Sequence, residues 1–143
     1  MRFQKSPTYF MEYAGLKAVC WVLRLLPYRA ARAVGRFSTG LAARFAPKRF
    51  KRNLQDIARV FPDKSPQEVY KIAYNSWRNM GQILAEFIKL SSYSPDEFKK
   101  HVKVRGLEKM QEAEKNKTGG IIHIGHFTNW EAFGLATSVY GID

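Results

Sequence analysis

His126 and Glu131 stand five residues apart in Gly125-His126-Phe127-Thr128-Asn129-Trp130-Glu131. A neutral imidazole can take a proton from an alcohol as that alcohol attacks a carbonyl. A carboxylate on the other ring nitrogen fixes the tautomer and stabilises the imidazolium that forms. No Gly-x-Ser-x-Gly elbow accompanies the pair, and Cys20 is far away in sequence. Direct attack by a substrate hydroxyl is therefore simpler than a covalent acyl-enzyme. Glu131 has a structural rival role, because Thr128-Asn129-Trp130-Glu131 also fits a capping box. The two roles are compatible. A metal site built from His123, His126 and Glu131 is disfavoured. Residues three apart on a strand face opposite ways, and no further ligand stands out. His123 reads as a core histidine and His101 as a surface one.

Positioning such a pair needs a strand end and a helix start. The run 120–124, Gly-Ile-Ile-His-Ile, follows Gly119 and reads as a short buried strand, and a helix begins at Thr128 or Asn129. Val102-Lys103-Val104 alternates like another brief strand, Gly106 breaks it, and a polar helix runs from Leu107 to about Asn116. Strand, helix, strand, helix predicts the opening of a βαβ-type α/β core.

Upstream the chain reads as helical. Residues 8–27 are apolar and long enough to cross a bilayer, but Lys17 sits centrally and costs about 2.5–3.5 kcal/mol there. A tilted or half-immersed anchor fits better than a clean span. Residues 27–46 carry an apolar stripe of Ala30, Val34, Phe37, Leu41 and Phe45. A basic stripe of Arg29, Arg32, Arg36 and Arg44 accompanies it. Phe50, Leu54, Ile57 and Phe61 mark a helix after Pro47. The apolar faces of this pair are expected inside, with the cations turned to a membrane surface. Ser65-Pro66-Gln67-Glu68 is a capping box with proline at the first helical position. The helix it opens runs to about Leu90, with Val69, Ile72, Ala73, Met80, Ile83, Leu84, Phe87 and Ile88 on its buried side. Ser94-Pro95-Asp96-Glu97 repeats the signal.

At 143 residues, 45% hydrophobic and 14% aromatic, the chain can fold around a real core. One cysteine excludes an internal disulfide framework. The net charge of +12 is lopsided, for residues 1–60 hold thirteen Lys/Arg against Glu12 and Asp56 alone. That half suits an anionic partner, phospholipid or nucleic acid. Nucleic acid is the weaker reading, because Phe37, Phe45, Phe50 and Phe61 read as core positions rather than stacking platforms.

The Gly125–Glu131 block, preceded by Gly119-Gly120-Ile121-Ile122, resembles the signature of bacterial lipid A biosynthesis acyltransferases of the lauroyl/myristoyl type. Lys51-Arg52-Asn53-Leu54, Val60-Phe61-Pro62, Asn79-Met80-Gly81 and Glu86 resemble the same family's upstream segment, and Val104-Arg105-Gly106-Leu107-Glu108 its lead-in. The resemblance covers nearly the whole chain in order. It implies an acyltransferase-type α/β core, truncated, with a membrane-associated helical N-terminal region. The expected parts are an anchor helix over 1–27, a helical region over 28–100, and the start of the core over 101–143.

The implied reaction moves a fatty acyl chain from an acyl carrier protein thioester to a hydroxyl of an anionic lipid A precursor. It would take place at the cytoplasmic face of a bacterial inner membrane, with no cofactor. His126 is the implied base, Glu131 its charge partner, and Asn129 a weaker candidate for a substrate-binding role. Relatives that acylate phosphatidylinositol mannosides carry a similar block, so the acceptor stays open. Members of the family run about twice this length, with later strands and an arginine-containing block. The 143-residue chain alone is therefore expected to be inactive.

Overall fold

The computed structural model describes residues 7–125 and 129–142, with side chains from Tyr9 onward. Its longest helix, α4 (Pro66–Leu90), begins where the capping box places it. The Ser65 hydroxyl accepts from the Glu68 amide at 3.4 Å, and a Glu68 carboxylate oxygen accepts from the Ser65 amide at 2.9 Å. Two otherwise orphaned donors are thereby satisfied. Ser94 does half of this for α5 (Pro95–His101), accepting from the Glu97 amide at 3.3 Å. Three helices precede α4, namely α1 (Pro7–Leu25), α2 (Tyr28–Phe45) and α3 (Pro47–Val60). Beyond α5 lie α6 (Leu107–Asn116) and α7 (Glu131–Val139).

Helix α2 lies along α4, and two glycines set how close they come. A Cβ on Gly35 would meet the Gly81 carbonyl oxygen at 2.3 Å, and one on Gly81 would meet the Gly35 oxygen at 2.2 Å. No side chain fits at that crossing. Ala31, Gly40 and Ala43 continue the buried face of α2. The stripe expected inside is turned out instead, with Phe37 70% and Phe45 80% exposed and Val34 and Leu41 also exposed. Small residues won this face because close backbone approach along the whole helix gains more contact than a few protruding large side chains. Arg32 and Arg36, expected to face a membrane, reach across to α4. On α4 itself Val69 and Ala73 are buried as expected, whereas Met80 and Leu84 are exposed and Gly81, Ala85 and Glu86 take the inner face.

Among the described residues two small clusters of buried side chains join the helices. Leu23, Ala31 and Ala85 join α1, α2 and α4. Leu90, Phe98 and Ala136 join the end of α4 to α5 and α7, with Val102 and Val104 packed alongside. Helix α1 buries Leu23 and leaves Phe10, Leu16, Trp21 and Leu25 exposed. Among the described residues no helix is long and apolar enough to cross a membrane.

The α/β expectation is overturned, because the described residues form helices and no strand. A strand exists only through its partner's backbone, and the two extended segments do not pair. Val102–Val104 is held by side-chain packing instead. The apolar run after Gly119 pairs with no strand among the described residues, Ile121 is fully exposed, and Ile122 and Ile124 are exposed as well. His123, expected in the core, is exposed with them.

Candidate functional site

The turn carrying the expected chemistry leads into α7. Glu131 is the first residue of that helix and is half-buried, with Trp130 in the N-cap position and no described side chain capping the end. An acidic group in a first turn is favoured by the helix dipole. His126 lies outside the described residues, as do Phe127 and Thr128, so the His126–Glu131 pairing and the Thr128 capping box fall there too.

Asn129 is the described residue of this turn that ties it to the bundle. Its side-chain amide donates to Glu86 Oε2 at 2.7 Å, across 43 residues of sequence. Glu86 is 7% exposed on the inner face of α4. Its other oxygen lies 2.6 Å from Arg32 Nε on α2 and accepts from the Gln82 amide at 3.1 Å. The Arg32 nitrogen approaches off its N–H direction and so counts as an ion pair without a well-directed hydrogen bond. Arg36 donates to the Gln82 carbonyl oxygen at 3.4 Å. Both Glu86 oxygens are engaged, which makes this carboxylate an anchor for the turn rather than a free base. Asn129 Oδ1 is buried and has no donor among the described residues.

Tyr28 closes the network on the α5 side. The Arg32 guanidinium lies over its ring at 5.6 Å, and the His101 ring sits at 4.8 Å. Burial, then the nearby Glu86 carboxylate, pushes the Tyr28 phenol above its ordinary value, against the smaller opposing pull of Arg32. His101 is exposed, as expected, and its ring packs between those of Tyr28 and Tyr93, with the second at 5.0 Å. Below the network Lys89 is buried, and its ammonium donates to the Arg24 carbonyl at the end of α1.

Sequence reasoning gave Asn129 a weak polar role and placed Glu86 only in a resembling segment. It missed that the two meet, and it assigned Arg32 to an outward stripe. One signal was available. Gln82, Glu86 and Lys89 recur at helical spacing amid Ile83, Ala85, Phe87 and Leu90, a polar line in an otherwise apolar stretch.

The family described as bacterial lipid A biosynthesis acyltransferase matches residues 2–141. The lipid A biosynthesis lauroyltransferase of Escherichia coli K12 is 27% identical over 126 residues, covering 87% of this chain and 40% of that protein. The palmitoleoyltransferase of the same organism and a lipid A biosynthesis acyltransferase of Shigella flexneri are each 25% identical over 128 residues. They cover 90% of this chain and 42% of theirs. The chain thus spans about two fifths of the length of the curated relatives it matches. No solved structure matches it.

Proposed function

The chain belongs to the bacterial lipid A biosynthesis acyltransferase family, and from that premise we propose that it carries the base-bearing part of an O-acyltransferase acting on a lipid A precursor. In this reading a neutral His126 ring nitrogen takes the proton of an acceptor hydroxyl. The oxygen attacks the thioester carbonyl of an acyl carrier protein, the C–S bond breaks, and the proton passes to the departing thiolate. Glu131 orients the ring and offsets its transient positive charge. Asn129 holds the turn to Glu86. The observation that carries the reading is the family match through the His126–Glu131 block.

The surroundings support a membrane-surface setting, and with the family's reaction in mind our reading puts it at the cytoplasmic face of an inner membrane. Helix α1 exposes Phe10, Leu16, Trp21 and Leu25, and the cations of residues 1–60 suit anionic headgroups. Those same features favour a second reading, a non-catalytic module that binds anionic lipid. Replacing His126 by alanine in a full-length protein containing this chain separates the two. Turnover falls about 10²–10⁴-fold under the enzymatic reading while vesicle binding is kept. Unchanged turnover sinks it. The 143-residue chain by itself is expected to show no acyl transfer.

A further inference from the structure

A cavity of about 700 Å³ lies between α2, α3 and the first half of α4, lined by Leu41, Arg44, Phe50, Tyr70, Tyr74 and Arg78 among others. It is separate from the Glu86 network, because Arg78 and Glu86 are eight residues apart on α4, about 12 Å along the helix. Its size is that of a small-molecule site.

Three features give it a polarity. The wall is aromatic and interlocked, with the Phe50 ring 5.5 Å from Tyr70 in an edge contact and Tyr70 stacked 6.1 Å from Tyr74. Two guanidiniums, Arg44 and Arg78, line it, and neither has a carboxylate partner among the described residues. Arg78 is instead held over the Tyr74 ring at 5.7 Å, which fixes its position while leaving its donors available. Finally, Val34, Phe37, Leu41 and Phe45 run along one exposed face of α2, so an apolar track leads away from the mouth. Gly40 keeps the floor open, for a Cβ there would lie 3.0 Å from the Arg78 side chain and 3.1 Å from the Tyr74 hydroxyl.

We propose that this cavity binds a phosphate-headed lipid, its headgroup on Arg44 and Arg78 and its hydrocarbon along Leu41 and the exposed face of α2. A planar guanidinium pair matches phosphate oxygens, and the apolar track of Val34, Phe37, Leu41 and Phe45 runs on beyond the pocket as a hydrocarbon tail would. The proposal stands apart from the acyl-transfer reading, since it concerns binding and needs neither His126 nor Glu131.

The test uses the whole chain and decyl phosphate carrying a photoreactive tail, with labelled peptides mapped by mass spectrometry. Saturable labelling is expected on peptides holding Leu41 or Tyr70–Tyr74. It falls about tenfold in Arg44→Gln/Arg78→Gln and severalfold in Arg44→Gln alone. The single variant guards against a folding defect, because Arg44 is exposed and makes no ion pair among the described residues. Dilauroyl phosphatidate should displace the label far better than inorganic phosphate. Equal competition by inorganic phosphate, equal labelling by neutral decyl glucoside, displacement by a single-stranded oligonucleotide, or indifference to Arg44→Gln each overturns the proposal.

Discussion

Asn129, two residues before α7, donates a hydrogen bond of 2.7 Å to Glu86, deep on the inner face of α4. A charge-assisted bond of this kind is worth more than a neutral one, and here it joins the motif turn to the closely packed α2–α4 pair. A double-mutant cycle of Glu86→Gln and Asn129→Ala should return a coupling of about 1–2 kcal/mol in chemical unfolding. Additive effects of the two changes would mean that the contact holds nothing.

Arg32→Ala should cost more than Glu86→Gln. The first leaves a buried carboxylate short of its cation, whereas the second keeps a neutral group that Asn129 and Gln82 can still bond. Losses of about 2–3 kcal/mol against about 1 kcal/mol are expected in urea titrations, scaled down because Arg32 is 41% exposed. The reverse order would remove the ion pair from this account.

Gly81→Ala forces a methyl group into the Gly35 carbonyl and the Thr39 side chain. Backbone cannot yield as a flexible side chain does, so a loss of about 2–3 kcal/mol or more is expected. Gly15→Ala is the contrast, because nothing lies within 4 Å of a Cβ there. On an exposed helix face it should stabilise by about 0.5–1 kcal/mol. Matched thermal melts of the two variants check both signs.

Acid should loosen the start of α4. The Ser65 amide and hydroxyl, with help from Lys64, hold the Glu68 carboxyl below its usual value of 4.5. A group whose folded pKa is depressed contributes stability above the unfolded value, and that contribution is lost as pH falls through the folded one. Glu68→Gln should therefore flatten the fall in melting temperature between about pH 6 and about pH 3. An unaltered slope would assign the acid sensitivity elsewhere.

Membrane affinity should combine apolar and ionic parts. Vesicles with anionic lipid should pull the chain down, and raising salt should weaken but not abolish binding, because α1 keeps its apolar contacts. Binding that vanishes completely in high salt would leave α1 without a role.

Helix starts were the most legible part of the sequence. Ser65 and Ser94 announce themselves because a cap is a local bargain among four residues. Faces were less legible. Hydrophobic periodicity nominated Phe37 and Phe45 for the interior of α2, but the partner helix presented Gly81 and demanded small residues. With Phe37 and Phe45 exposed, core burial no longer argues against nucleic acid, and a lipid partner is favoured by the family match. The sheet was illegible for a different reason. Alternation in 102–104 and the run 120–124 describe what a strand needs on its own side, whereas pairing depends on a neighbour, and the described residues supply none. At the site, Asn129 was visible but its partner was not, since nothing local in residues 125–131 points 43 positions back to Glu86.

The bare isoleucine ribbon around Ile121 carries a practical consequence. Its amide and carbonyl groups find no ladder partner among the described residues and can recruit a foreign one, and its side chains reward whatever covers them. Concentrated preparations of this polypeptide should therefore clump through that edge before any helix melts, and a lysine at position 121 is the gatekeeper that keeps them clear.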